Sequence, residues 1–352
     1  MRAMRILYGV TGCGLGHTMR ARALAHHLES RGHVVKLSAS GRAVDILRQH
    51  GLDVVRIDGM DMRFSRGGLR RARSVYDLVR RAPRSIKRNA EVAWNDVLDF
   101  DPELLVTDFD SFTPVIGALL DRPVISVDHQ HVLDRFRHPA AVKDNVSSYA
   151  MARALVTAKT PRCSHYVVTS FFFPEARWGS TSLVGPIVRR EIELAKPSEG
   201  EHVLVYQTAA GDPHLLPALQ AVRGARFVVY GLGRAEQLGN VELRAFDEAR
   251  FVEDLASARA VIANGGFTTL SEAIYFGKPV LSIPVRRQPE QELNAAWLEV
   301  LGLGMRARTI DPVTVARFVD RADSYRNVQD ARIKRGTEDA KSALDRAIRE
   351  AA

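Results

Sequence analysis

Short, almost wholly apolar runs recur along this chain, each closed by a turn residue and followed by a segment with apolar positions at helical spacing. That alternation is the strongest constraint on what the chain can fold into. In the first half the runs are Arg5 to Val10, Val34 to Ser38, Val54 to Ile57, Leu104 to Thr107, Val124 to Val127 and Tyr166 to Thr169. In the second half they are His202 to Tyr206, Phe227 to Tyr230, Val241 to Ala245, Ala260 to Ala263 and Val280 to Ile283. Strands this apolar are buried on both faces, so the pattern predicts an α/β protein with parallel sheets covered by helices. A polar connection, Glu193 to Glu201 with Lys196-Pro197-Ser198, places a boundary at about residues 186–200. The expected units are 1–190, 191–327 and a helical tail, 328–352, packing back on the first unit.

The loops after strands are where open α/β sheets hold their ligands. Asn264-Gly265-Gly266 ends the run Ala260 to Ala263. Thr268 or Thr269 then stands where a helix N-cap belongs, with Leu270, Ala273 and Ile274 continuing at helical spacing. Strand, Gly turn and helix start together offer unpaired N–H groups and the positive end of a helix dipole, a place that binds diphosphate. Glu272 is an acceptor for ribose hydroxyls, because an ionised carboxylate only accepts. The same spacing also fits a capping box made by Thr269 and Glu272.

The first strand runs into Gly12-Cys13-Gly14-Leu15-Gly16-His17. This fails the dinucleotide fingerprint, since the third glycine position holds His17 and the second strand ends in Ser38-Ala39-Ser40 without an acid for ribose. A nicotinamide-dependent oxidoreductase is therefore disfavoured. The loop instead offers a histidine at a helix start, where the dipole opposes the imidazolium form and leaves a ring able to take a proton. Asp108, in Thr107-Asp108-Phe109-Asp110 after the fourth run, is expected to hold one nitrogen of His17 while the other faces an acceptor hydroxyl. Asp108-Phe109-Asp110 is also an Asp-x-Asp, a short metal-binding signature. His129 and His131, in Asp128-His129-Gln130-His131, are expected on the acceptor side of the same edge. Gln207-Thr208 ends the first strand of the second half, where Thr208 is placed for a further diphosphate contact.

Charge is concentrated. Between Arg63 and Ala90 ten basic residues face the single acid Asp77, a balance of +9 that equals the formal net charge of the whole chain. Val75, Leu78, Val79, Ile86 and Ala90 recur there at helical intervals, predicting a basic amphipathic helix interrupted near Pro83. Such a surface suits an anionic membrane or a phosphorylated acceptor, with Arg70 and Arg71 as acceptor contacts. Aromatic residues for base stacking are sparse there, so nucleic acid is not the expected partner. No apolar stretch reaches the roughly 20 residues of a membrane span. Cys13 and Cys163 lie far apart without metal-ligand spacing and read as reduced thiols. The expected setting is cytoplasmic, peripheral at the inner face of the membrane.

Across nearly its whole length the chain resembles the GT-B superfamily of nucleotide-sugar glycosyltransferases. Within it, the chain is similar to the branch holding the undecaprenyl-pyrophosphoryl-muramoyl-pentapeptide N-acetylglucosaminyltransferases and the UDP-glycosyltransferases. Gly14-Leu15-Gly16-His17 resembles their opening loop. Gly266-Phe267-Thr268-Thr269-Leu270-Ser271-Glu272 with Gly277-Lys278-Pro279 and Glu290-Gln291-Glu292-Leu293-Asn294-Ala295 resembles their donor signature. The resemblance implies two Rossmann-like domains facing across a cleft. It assigns His17 as general base and Asp108 as its support. Gly14, Gly16, Thr208, Asn264, Gly265, Gly266, Thr268 and Thr269 would surround the donor diphosphate, with Glu272 on the ribose. Glu290 and Gln291 would touch sugar hydroxyls, and the base would lie near Phe246 and Phe251. Asn264 departs from the plant-type enzymes, which carry a phosphate-contacting His there.

The implied reaction is a single displacement with inversion, moving a sugar from a nucleoside diphosphate, with UDP expected, to a hydroxyl of a lipid-linked or small-molecule acceptor. No cofactor and no metal are expected beyond the nucleotide-sugar co-substrate. A nucleotide-sugar 2-epimerase would share the architecture, and a basic nucleic-acid-binding protein is a remoter alternative.

Overall fold

A computed structural model of the chain describes residues 2–12, 14–59, 64–65, 68–69, 84–143, 146–207, 212–325 and 330–351. Among these residues two seven-stranded sheets form. The first contains β1 (Arg5–Val10), β2 (Val34–Ala39), β3 (Val54–Arg56), β4 (Leu104–Asp108), β5 (Val124–Asp128), β6 (His165–Thr169) and β7 (Thr181–Val184). Their order is β3-β2-β1-β4-β5-β6-β7, with every pair parallel. The second contains β8 (His202–Tyr206), β9 (Arg226–Tyr230), β10 (Glu236–Leu238), β11 (Val241–Leu243), β12 (Ala260–Ala263), β13 (Val280–Ser282) and β14 (Gly304–Arg306). Its order is β10-β11-β9-β8-β12-β13-β14, parallel except where β10 meets β11.

The parallel α/β reading of the apolar runs is borne out. Within the two seven-stranded sheets the strands it overlooked are β7, β10 and β14, all at sheet edges. An edge strand keeps one side in water, so Thr181-Ser182 and Glu236-Gln237 stand where central strands carry Val and Ile. The expected tail helix is divided into a turn, Ala331–Lys334, and a longer helix, α6 (Gly336–Ala351). Earlier helices that shape the site are α1 (Leu15–Ser30), α2 (Phe112–Leu120), α3 (Glu248–Ser257), α4 (Phe267–Tyr275) and α5 (Pro289–Val300). Of the basic segment, residues 84–92 are helical and lead into a π-helical turn, Ala93–Val97. Of its remainder, Phe64–Ser65 pairs antiparallel with Gly68–Leu69, and the rest, including Arg70 and Arg71, lies outside the described residues, as do Cys13 and Thr208.

In the first sheet the winding direction reverses between β1 and β4, and in the second between β8 and β12. Loops leaving such neighbours part to opposite faces and open a crevice beyond the strand ends. The His17 loop and Asp108 border the first crevice, and Asn264-Gly265-Gly266 borders the second.

The two halves are not separate cores. Phe171 and Phe172, after β6, meet Phe267 of α4 and Trp297 of α5 in one apolar cluster. Phe172 stacks on Trp297 with centroids 5.0 Å apart, and Phe171 on Phe267 at 6.1 Å. The chain leaves the first half after β7 and returns with α6, whose Ala340, Leu344, Ala347 and Ile348 join the core of the first sheet. Outgoing and returning segments touch, the Val188 N–H donating to Thr337 Oγ1 at 3.3 Å.

Candidate active site

β1 delivers the chain to Gly14, whose φ of 93° opens α1 in a conformation that suits glycine. His17 then lies in the first turn of α1, and its Nδ1 is 2.6 Å from Asp108 Oδ1 at the end of β4. Val10 and Asp108 are register partners, so neighbouring strand ends bring together residues far apart in sequence. Asp108 is fully buried and also takes a two-pronged contact from Arg20, Nε to Oδ2 at 2.8 Å and Nη2 to Oδ1 at 2.5 Å. Arg20 is itself buried. Burial works against its charge, but Asp108 outweighs that and holds the guanidinium above its ordinary range. Nδ1 is also 2.9 Å from Arg20 Nη2, and with Nδ1 turned to the carboxylate, Nε2 of His17 faces the gap between the halves, 3.3 Å from the Gln130 amide nitrogen.

The opposite wall of that gap is the start of α4. Gly266, not a threonine, occupies the N-cap, with no side-chain cap, so Thr268 and Thr269 sit inside the first turn. No capping box forms between Thr269 and Glu272, and the first-turn N–H groups have no intrahelical acceptor. Gly16 and Thr268 pack face to face: a Cβ on Gly16 would strike Thr268 Oγ1, so only glycine lets the two helix starts approach this closely. Two positive dipole ends thus converge on one gap.

Around α4 the donor-signature residues hold one another. Gln291 Oε1 accepts from the Gly265 N–H at 3.1 Å and the Val285 N–H at 2.9 Å. Asn264 donates to Ile283 O at 3.1 Å, and Asn294 donates to Gly265 O at 3.0 Å. The structure therefore uses the side-chain carbonyl of Gln291 to build the loop, where the sequence placed it on a sugar. Glu290 faces the first half, accepting from the Gln130 amide at 3.2 Å.

Glu272, read from the sequence as a ribose acceptor, lies inside the protein. It is 2% exposed and gripped by Arg189 of the connecting segment, both oxygens at 2.8 Å. Arg189 also donates to Glu248 at 2.9 Å. Burial opposes the Arg189 cation, but Glu272 and Glu248 prevail and hold it above its ordinary range. A two-pronged guanidinium leaves one lone pair on each carboxylate oxygen, so Glu272 keeps acceptor capacity.

His129 and His131 do not line an open cleft, contrary to the sequence expectation. His129 is 1% exposed and stacks on Phe267 at 3.8 Å, with Nδ1 donating to Thr169 O at 2.7 Å and Nε2 2.8 Å from Asn294 Oδ1. Burial lowers its pKa. His131 is equally buried, 2.7 Å from Asp128 Oδ2 and 2.8 Å from Thr160 Oγ1. Both rings are packing and bonding elements, drawn inward because the turn after β5 lies under the interface between the halves. Phe251 likewise is core, 2% exposed, while Phe246 is 47% exposed beside it and remains open to a base. The Asp-x-Asp is taken up inside the protein: Asp110 accepts from Thr107 Oγ1 at 2.7 Å and from the Phe112 and Thr113 N–H groups at 2.8 Å, starting α2.

Sequence reasoning missed Arg20, Arg189 and Gln130. Arg20 was detectable, one helical turn beyond His17. Gln130 lies between two histidines that were noticed. Beside the site, at the carboxyl ends of β1 to β3, a cavity of about 380 Å³ is walled by Ile57, Ala90, Ala93, Phe112, Val115 and Ile116.

Residues 4–322 match the sequence family described as glycosyl transferase family 1. The chain is 25% identical over 327 residues to an uncharacterized glycosyltransferase of Methanosarcina mazei, covering 86% of this chain and 85% of that one. It is 24% identical over 336 residues to the UDP-N-acetylglucosamine-N-acetylmuramyl-(pentapeptide) pyrophosphoryl-undecaprenol N-acetylglucosamine transferase of Methylobacterium radiotolerans, covering 87% and 85%. The structure is similar, with a TM-score of 0.62 and 20% identity, to the glycosyltransferase SsfS6 of Streptomyces sp. SF2575 complexed with thymidine diphosphate, covering 99% and 100%. The two facing sheets are those of the GT-B fold.

Proposed function

The chain belongs to glycosyl transferase family 1, and from that premise we propose that it moves a sugar from a nucleoside diphosphate, with UDP favoured, to a hydroxyl of an acceptor with a large apolar part. The observation that carries this reading is the pairing of His17, backed by Asp108, with the start of α4 across one gap. His17 Nε2 takes the acceptor proton while the acceptor oxygen attacks the anomeric carbon from the side opposite the diphosphate, inverting it. The converging helix starts stabilise the departing diphosphate, so the reaction is proposed to run without a metal. Glu272 takes the ribose through its remaining lone pairs, Glu290 the sugar and Phe246 the base. The UDP-N-acetylglucosamine in the name of the Methylobacterium relative favours UDP, and the thymidine diphosphate held by SsfS6 makes TDP the second choice.

The apolar cavity supports an acceptor with a hydrocarbon or polycyclic body. Exposed Ile86 and Trp94 near Arg84, Lys87 and Arg88 support docking at an anionic membrane, which would bring a lipid-linked acceptor to the cavity. Among the described residues no helix is long and apolar enough to cross a membrane.

Thermal melting against UDP-, TDP- and GDP-sugars tests the donor, since a ligand of the folded state alone raises Tm. A UDP-sugar should raise it, and Glu272→Ala, compared with its own unliganded Tm, should lose the rise. His17→Ala should keep the rise and lose turnover by about 100- to 10,000-fold, the usual worth of a general base. Failure of every nucleotide sugar to shift the wild type overturns the donor reading. Turnover abolished by strong chelation and restored by Mn²⁺ overturns metal independence.

A further inference from the structure

Gln130 lies in the turn after β5, between two residues that cannot move freely. His129 is clamped by Thr169, Asn294 and Phe267. His131 is tied to Asp128 by its backbone N–H at 2.9 Å and its ring at 2.7 Å. These anchors aim the Gln130 side chain into the gap where the halves face each other. Its amide nitrogen is 3.3 Å from His17 Nε2 and 3.2 Å from Glu290 Oε2.

The chemistry of the partners fixes the amide's orientation. Glu290 as a carboxylate only accepts, so the NH2 must face it. His17 Nδ1 is 2.6 Å from Asp108 Oδ1 and 2.9 Å from Arg20 Nη2; the shorter contact, to an oxygen that only accepts, puts the proton on Nδ1, so Nε2 also accepts. Oε1 of Gln130 then points the other way, where it is buried and has no partner among the described residues. A buried carbonyl left unpaired costs stability, and a group kept at that cost points to a use other than folding.

We propose that Gln130 holds the place of the nucleophile. Its N–H covers the lone pair of His17 Nε2 and competes with water for it. When an acceptor hydroxyl takes that place, the displaced amide turns about its last side-chain bond, so that its N–H and the formerly unpartnered Oε1 bind the substrates and orient the attacking oxygen. Gln130 thereby selects the acceptor over water. This rests on the reading of His17 as base and Glu290 as sugar contact. Without Gln130 the competing reaction is hydrolysis: a water oxygen bonds to the anomeric carbon, the bond to the diphosphate oxygen breaks with its electron pair, and the water proton passes to His17 Nε2.

The test uses the full chain, UDP-N-acetylglucosamine and TDP-glucose without acceptor, and the variants Gln130→Ala and Gln130→Asn. The asparagine is one methylene shorter, keeps the polarity and falls short of His17, so it separates reach from folding. With whichever sugar shifts the wild-type Tm, both variants should release nucleoside diphosphate and free sugar in equal amounts about tenfold faster, the effect of ~1.4 kcal/mol on the barrier. The donor-induced shift should be retained and the unliganded Tm unchanged or higher. Unchanged or slower hydrolysis with an intact donor shift overturns the inference alone. A lower unliganded Tm with a weaker donor shift and no gain in hydrolysis assigns Gln130 to structure and also overturns it. No shift of the wild type by either sugar or any other nucleotide sugar removes the donor reading and this inference with it.

Discussion

Arg20 shows how far one side chain conditions the base. Asp108 is a fully buried carboxylate, and Arg20 supplies the compensating charge through two bonds. Removing one member of a buried pair strands the other, at a cost of about 3 to 5 kcal/mol. Arg20→Met should therefore lower the urea midpoint by that equivalent, and adding Asp108→Asn should recover much of the loss. A wild-type midpoint for Arg20→Met would mean the pair does not hold this loop. His17 and Asp108 were legible in the sequence because one follows and the other closes an apolar strand, and strand ends are where such sheets place chemistry. Arg189 was not legible. Its partner Glu272 lies 83 residues away, and nothing in the local spacing of Val188-Arg189-Arg190 indicates which arginine turns inward.

At the level of elements, the contact between the turn after β5 and α5 carries a pH signature. His138 lies under Trp297, whose indole N–H donates to its Nδ1 at 3.0 Å, while its Nε2 donates to Val132 O at 2.7 Å. Burial pushes its pKa down to about 4, against 6.5 ordinarily. Between these values the unfolded chain holds more protons, so stability falls as pH drops from about 6.5 toward 4 and levels off below. For this one group the loss is about 3 kcal/mol. Denaturation at several pH values should show a shallower acid fall in His138→Gln than in the wild type, beyond what the depressed His129 contributes. Parallel curves would remove His138 as the cause. Central strands were readable because burial on both faces demands Val, Ile and Leu. The edge strands β7, β10 and β14 carry no such demand, and the histidines of the β5 turn were misplaced because the sequence shows which edge a turn lies on, not which side chains the opposing half will cover.

Over the whole molecule, the fold closes by returning to its beginning. Leu344 and Ile348 of α6 are 0% and 1% exposed, in the core of the first sheet. At about 1.5 to 3 kcal/mol for each buried side chain, these two alone contribute about 3 to 6 kcal/mol. Net stabilities of domains are about 5 to 15 kcal/mol, so a chain ending at Arg335 should melt well below the wild type and lose its first half to limited proteolysis. A truncated chain with wild-type melting would refute this. The bond between Val188 and Thr337 has a mechanical consequence. The outgoing and returning segments pack along each other there, Gly185 against Arg332 and Gly336 against Pro186, so the connection between the halves is a double one. Widening of the cleft would therefore have to part the Phe172–Trp297 stack and strain the grip of Arg189, beside this double connection, on Glu272.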